Sequence, residues 1–201
     1  MTDELEVQML QIGVAVAAAA AMSMGAGVLP DGMLFLETHP PAKKWETYKT
    51  TESKSLPLRL NPCERRTAST ADRLATRAVH YRSEDTIKYE QLVVYKSVSA
   101  ARTAMRGLRA DLSRCANFGK GPDRHHYYTK PLKVGDDALR AGSSFFESGE
   151  QTVVVRNGAT VYVVGGSGWA AKSLPLKRFK GLISQAERMR AKVCDLPKAA
   201  C

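Results

Sequence analysis

Hydrophobic positions along the chain switch between two periods, and the switch is sharpest between Thr86 and Cys115. Thr86–Tyr95 places Ile87, Tyr89, Gln91 and Val93 on one side of an extended chain and Lys88, Glu90, Leu92 and Val94 on the other, the two-residue period of a strand. Past Lys96 and Ser97 the spacing lengthens. Val98, Ala101, Met105, Leu108, Leu112 and Cys115 recur every three or four residues, which predicts a helix with one apolar face and the thiol on that face. Ser97 stands where its side chain can accept from a free amide of the first turn.

Around this pair the other elements fall into place. Leu74–Arg82 reads as a strand joined to the first by a turn at Ser83-Glu84-Asp85, and further strands are expected at His126–Lys130, Ser143–Ser148, Thr152–Arg156 and Thr160–Val164. Asn157-Gly158 between β-branched runs is a hairpin signature. Gly165-Gly166-Ser167-Gly168 reads as the mobile loop that ends the last strand. Ser173 before Leu174-Pro175 predicts a second helix, with Leu176, Phe179, Ile183, Ala186, Met189 and Val193 as its buried face and Cys194 as its end. This order predicts an α+β domain over residues 61–201: an antiparallel sheet, two main helices packed on one face, and disulfide staples.

Two segments precede that domain. Residues 30–60 read as an extended approach segment, because Pro40-Pro41 and the Ser/Thr/Lys run from Thr50 to Ser55 favour mobile chain, with Met33–Leu36 and Trp45 as the parts that dock on the core. Residues 1–29 read as a signal peptide or N-terminal anchor: no charge occurs from Val7 to Pro30, and the centre is rich in alanine. The acidic start, Met-Thr-Asp-Glu-Leu-Glu, departs from the positive start of a secretory leader.

Charge and cysteine content then narrow the setting. Thirty Lys and Arg stand against twenty Asp and Glu, and every basic residue follows Pro30, so the body of the protein would attract anions of several kinds. Cys63, Cys115, Cys194 and Cys201 contain no Cys-x-x-Cys and no histidine at zinc-ligand spacing, so two disulfides in an oxidising compartment are the simpler reading. Of the three possible connectivities we prefer Cys63–Cys115 with Cys194–Cys201, since the last two are neighbours able to fasten the C-terminal tail to the final helix. With the leader, this predicts an exported protein at the cell surface or outside the cell.

A family resemblance rests on Val93–Arg102, the run to Arg114-Cys115, the upstream Cys63, the turn Val134-Gly135-Asp136-Asp137-Ala138-Leu139 and the hairpin Val153–Gly158. Over about residues 61–195 these resemble secreted actinobacterial sensor-type domains, the PknH-like extracellular domains. The resemblance implies an extracytoplasmic, non-enzymatic sensor or ligand-binding module with a sheet, packed helices, disulfides and a cleft. Cys63 and Cys115 match the family's first pair.

Three functions compete. The preferred one is a secreted or surface-tethered, non-catalytic sensor or ligand-binding module of the bacterial envelope with an unidentified ligand, an anionic one being among the candidates. The second is a basic structural or adhesion protein holding anionic wall polymer or lipid headgroups, for which Arg102, Arg106 and Arg109, a stripe at i, i+4 and i+7 on the first helix, are the candidate anion-binding residues. The third is a secreted hydrolase pairing His125 or His126 with Asp136 or Asp137, although no serine sits in a Gly-x-Ser-x-Gly elbow. The Gly165–Gly168 run has neither the Lys-Ser/Thr of a phosphate loop nor dinucleotide spacing, so no cofactor is expected, and neither is a metal, since Asp136-Asp137 shows no third ligand. No nucleic-acid-binding motif is present, and a membrane partner enters only through the N-terminal segment.

Overall fold

The computed structural model describes residues 29–60, 70–121, 124–196, 199 and 201. The leader over residues 1–28 and Cys63 lie outside the described residues. One antiparallel sheet of eight strands forms the body: β1 (Thr47–Glu52), β2 (Arg73–Arg82), β3 (Ile87–Tyr95), β4 (Asn117–Phe118), β5 (His125–Leu132), β6 (Asp137–Phe145), β7 (Ser148–Asn157) and β8 (Thr160–Ser167). Their spatial order is β1-β2-β3-β8-β7-β6-β5-β4. Two meanders, β1–β3 and β4–β8, are thus joined edge to edge along β3 and β8.

Helix α1 (Val98–Arg114) carries the chain from the end of β3 towards β4, and α2 (Lys180–Cys194) follows β8. Only α1 starts where its capping chemistry directs. The Ser97 side chain accepts from the Ala100 amide at 3.1 Å, which satisfies a first-turn N–H of α1. The second helix begins later than its pattern predicts, because Leu174 turns the chain through a positive φ of 44° and a short 3-10 turn, Leu176–Arg178, precedes Lys180. Leu176 is therefore exposed, while Phe179, Ala186, Met189 and Val193 are buried as expected.

The α+β class and the antiparallel sheet hold, but the helices do not share a face. Helix α1 packs with Tyr89, Val93 and Tyr95 of β3, Val154 of β7 and Val161 and Val163 of β8. Helix α2 packs with Leu92 and Val94, Val153 and Val155, and Tyr162 and Val164. These are alternate residues of the same strands, so the helices cover opposite faces. Unbroken apolar runs such as Val153-Val154-Val155 are the mark of strands covered on both sides.

The segment read as an approach is part of the domain. Leu29, Met33 and Leu34 are buried in the α2-face core, β1 adds an edge strand to the sheet, and Leu58 and Leu60 are buried on the α1 face. Residues 29–60 therefore wrap the sheet edge from one face to the other. Arg77, itself buried, holds the first part by donating to the Leu29 and Pro30 carbonyls at 2.9 and 2.7 Å and by pairing with Glu37 and Glu52. Trp45, expected to dock on the core, is instead 57% exposed just before β1.

The disulfide Cys194–Cys201 forms across Cα atoms 5.3 Å apart and fastens the tail beyond α2, as its spacing predicts. Ala199 inside this loop is buried and its carbonyl accepts from the Ala159 amide of the β7–β8 hairpin at 2.6 Å. Cys115 is also disulfide-bonded.

Candidate functional site

On the α1 face, α1 lies over β3, β5, β7 and β8 and leaves the β1–β2 side of the sheet uncovered. A cleft of about 470 Å³ opens there between the sheet and the strap Leu56–Arg59. Its floor is set by register. Lys49 of β1 faces His80 of β2, and His80 faces Tyr89 of β3, so three polar side chains stand in one row across three strands, about 5 Å per step. The next row on this face, Thr51, Ala78 and Gln91, carries smaller side chains and gives the cleft its depth.

Gln91 builds the roof. Buried under the strap, its side-chain oxygen accepts from the Arg59 amide at 2.7 Å and its amide donates to the Pro57 carbonyl at 2.9 Å. Both halves of the carboxamide are thereby used, which makes burial of this polar group tolerable. The bonds also aim Arg59, whose guanidinium lies 5.0 Å from the centre of the Tyr89 ring, 3.5 Å from His80 Nε2 and 3.8 Å from a Glu150 carboxylate oxygen.

Tyr89 is the pivot of the site. Its ring lies over Gly165 of β8, where an added Cβ would meet the Tyr89 hydroxyl at 2.5 Å, so this position admits only glycine. Gly165 and Gly166 accordingly continue β8 instead of forming the mobile loop their composition suggests. The phenol donates to Glu150 at 3.3 Å and accepts from Thr152 Oγ1 at 2.6 Å. Burial, followed by the Glu150 charge, pushes its pKa far up, so it remains a neutral donor. His80 moves down, first because burial penalises the imidazolium and then because Arg59 is close, so it is neutral at pH 7.

The cleft thus offers two cations, Lys49 and Arg59, a neutral imidazole between them, and apolar walls from Leu56, Pro57, Leu58 and the Tyr89 ring. Glu150 balances part of that charge. Such a site suits a ligand with one anionic group and a flat or apolar body.

The residues singled out by the sequence lie elsewhere. Arg109 grips Asp137 with two hydrogen bonds of 2.8 and 2.5 Å, and that bond holds the Asp137 pKa below the usual carboxylate range. Arg106 donates to Thr103 at 2.9 Å, and Arg102 is exposed. The stripe on α1 is therefore already partly used, and it does not enter the cleft. Asp136 pairs with the buried Arg156 at 2.9 Å, so each carboxylate of the Asp136-Asp137 turn has an arginine of its own.

The hydrolase arrangement does not assemble. His125 and His126 begin β5, whereas Asp137 stands beside its far end, where Leu132 faces Ala138; seven strand residues separate them, roughly 23 Å. His125 stacks on Phe145 with ring centres 4.0 Å apart, and His126 Nδ1 lies 2.7 Å from Asn117 Oδ1.

Lys49, Arg59 and His80 were not legible as a site. The row exists only through β1, and β1 lies in a Thr/Ser/Lys segment whose composition points to mobile chain. The available signal was the alternation of Tyr48, Thr50 and Glu52 with Lys49 and Thr51, a two-residue period with too few apolar members to declare itself.

No family model and no curated protein matches the chain. Among solved structures the chain is similar to the extracellular domain of PknH from Mycobacterium tuberculosis, at 13% sequence identity over 75% of this chain and 80% of that one and with a TM-score of 0.43, a distant structural resemblance.

Proposed function

We propose that this protein is a non-catalytic, sensor-type binding module that works outside the cytoplasm, and that its ligand places an anionic group between Lys49 and Arg59 and an apolar body against Tyr89 and the strap. The observation that carries the reading is the row Lys49–His80–Tyr89 under the Arg59 roof, with cationic groups converging on an open cleft. Tyr89 is tied to Thr152 and Glu150, and the His80 pKa is lowered, which makes it a weak base; both properties suit holding a ligand better than moving its protons. The disulfide Cys194–Cys201 and the bonded state of Cys115 support a place in an oxidising compartment.

The test uses 8-anilinonaphthalene-1-sulfonate, a probe with a sulfonate and an apolar aromatic body. Arg59→Ala combined with Lys49→Ala is expected to weaken its binding about tenfold or more, the effect of losing charge-assisted contacts worth at least 1.4 kcal/mol. Arg106→Ala, on α1, is expected to leave binding unchanged. Equal binding by the parent and the double variant, with both folded by circular dichroism, would overturn the assignment.

A further inference from the structure

A second surface stands apart from the cleft and does not depend on that reading. The tip of the β6–β7 hairpin and the chain around it hold three exposed aromatic side chains: Phe146 at 69%, Trp169 at 55% and Phe118 at 53%. Register brings them to one corner. Phe118 faces His125, His125 faces Phe145, and Phe145 faces Ser148, so Phe118 is two strand spacings, about 10 Å, from the hairpin, with His125 and Phe145 stacked between. Trp169 lies against the other face of the same hairpin: the Gly168 amide donates to the Gly149 carbonyl at 2.9 Å, and Gln151 and Arg178 both donate to the Trp169 carbonyl.

Exposed aromatic side chains thus lie on both sides of the turn. Phe146 sits at the turn with a φ of +49°, a conformation costly for a bulky residue, where a glycine or asparagine would be the usual choice. Its ring points away from the core and gains nothing there. Lys120 and Arg124 flank the corner on one side, Lys172 and Lys177 on the other, all exposed, with Glu147 the acidic residue at the tip. Aromatic side chains rimmed by cations match the boundary layer of a bilayer with anionic headgroups, where rings enter the interfacial region and basic side chains meet lipid phosphates.

We propose that this corner is a membrane-docking wedge: Phe146 and Trp169, assisted by Phe118, insert into the interface of an anionic bilayer while the surrounding lysines and arginines bind its headgroups.

The chain has two tryptophans, Trp45 and Trp169, which permits a local readout that any partitioning of the apolar stretch before Pro30 would not mimic. In the full chain carrying Trp45→Phe, the remaining Trp169 is expected to shift to the blue and to be quenched by brominated lipid upon addition of phosphatidylcholine vesicles with a minority of phosphatidylglycerol. In the chain carrying Trp169→Phe, Trp45, which precedes the edge strand β1, four strand spacings or roughly 19 Å from β7, is expected to report water throughout. Adding Phe146→Ser to the first chain is expected to lower vesicle partitioning of the Trp169 signal about tenfold, the worth of one buried phenylalanine side chain. An unshifted Trp169 in the presence of vesicles would overturn the proposal, and so would a shift of the same size with purely neutral vesicles. A lipid-free shift that grows with protein concentration would assign the corner to a second copy of this chain instead.

Discussion

Glu90 and Gln91 are consecutive residues of β3, both buried, and they serve opposite faces of the sheet. Glu90 faces α2. Its carboxylate accepts from the Leu36 amide at 2.7 Å, from the Tyr162 hydroxyl at 2.6 Å and from Gln185 of α2, so the N-terminal strap, a central strand and a helix meet on one group. Gln91 lies on the α1 face, gives its side-chain hydrogen bonds to the backbone of Pro57 and Arg59, and roofs a cleft. Glu90 is fully buried because its three donors all meet the charge, which is the condition for burying such a charge at all. Gln91 uses its polar groups to hold a strap over a gap that no helix covers. At Glu90 the packing is organised for stability, and at Gln91 it leaves room for a ligand.

The strongest way to break that comparison is to remove each side chain in turn. Glu90→Leu leaves the Leu36 N–H, the Tyr162 hydroxyl and the Gln185 amide without their acceptor in a dry site, and about 3–5 kcal/mol of stability should be lost in urea titrations. Gln91→Leu should cost about 1–2 kcal/mol, since water entering the cleft can satisfy Arg59 N–H and Pro57 C=O. Equal costs would remove the distinction between the faces.

Between these two in size stands the Cys194–Cys201 staple, which secures the tail end of α2 and the buried Ala199. Replacing both cysteines by serine should lower stability by about 2.5 kcal/mol, the loop-closure entropy of a ring this size, while leaving the sulfonate probe bound as before. Weakened probe binding would mean that the two faces are coupled.

On the α1 face, Arg109 ties the helix to Asp137. Both side chains stay partly in water, so Asp137→Asn should cost only about 1 kcal/mol and less in high salt. The folded state holds this carboxyl below its usual pKa, so its contribution is present above the ordinary carboxylate range and is lost as pH falls through the lowered value. The variant should flatten that part of the acid limb.

The smallest effect is expected at His80. Its pKa is lowered on folding, so the unfolded chain takes up the proton more readily, and stability declines as pH falls below the ordinary imidazole range. His80→Gln should remove that slope. In the parent, protonation at low pH adds a positive charge beside Arg59, so the sulfonate probe should bind more tightly on acidification, and the variant should lose this trend.

Elements with strong local periods could be read from the sequence. The β3–α1 unit, the Ser97 cap, the Asn157-Gly158 hairpin and the end of α2 at Cys194 all follow from spacing and turn chemistry. Facts that depend on distant residues could not. Whether Leu92 or Val93 meets a given helix depends on the course of the chain between strands, so two helices on opposite faces look like two helices on one. Leu58 and Gln91 are separated by more than thirty residues of sequence, and β1 has the composition of a linker until β2 pairs with it. The site was hidden for the same reason, as its row crosses three strands.

The seam between β3 and β8 has a further consequence, for the fidelity of folding. It joins two meanders whose facing strands are runs of valine and other β-branched or aromatic residues, and such surfaces pair almost equally well in several alignments. Glu90 faces Val164, and Tyr162, two residues along and on the same side, reaches diagonally to the carboxylate. A slip of one residue sends that hydroxyl to the opposite side, and a slip of two in the direction that moves Tyr162 away carries it out of reach, leaving the buried carboxylate short of a donor either way. Because this contact also closes a loop of about seventy residues, it must be found late and found correctly. The buried glutamate acts as a proofreading mark, penalising these misalignments.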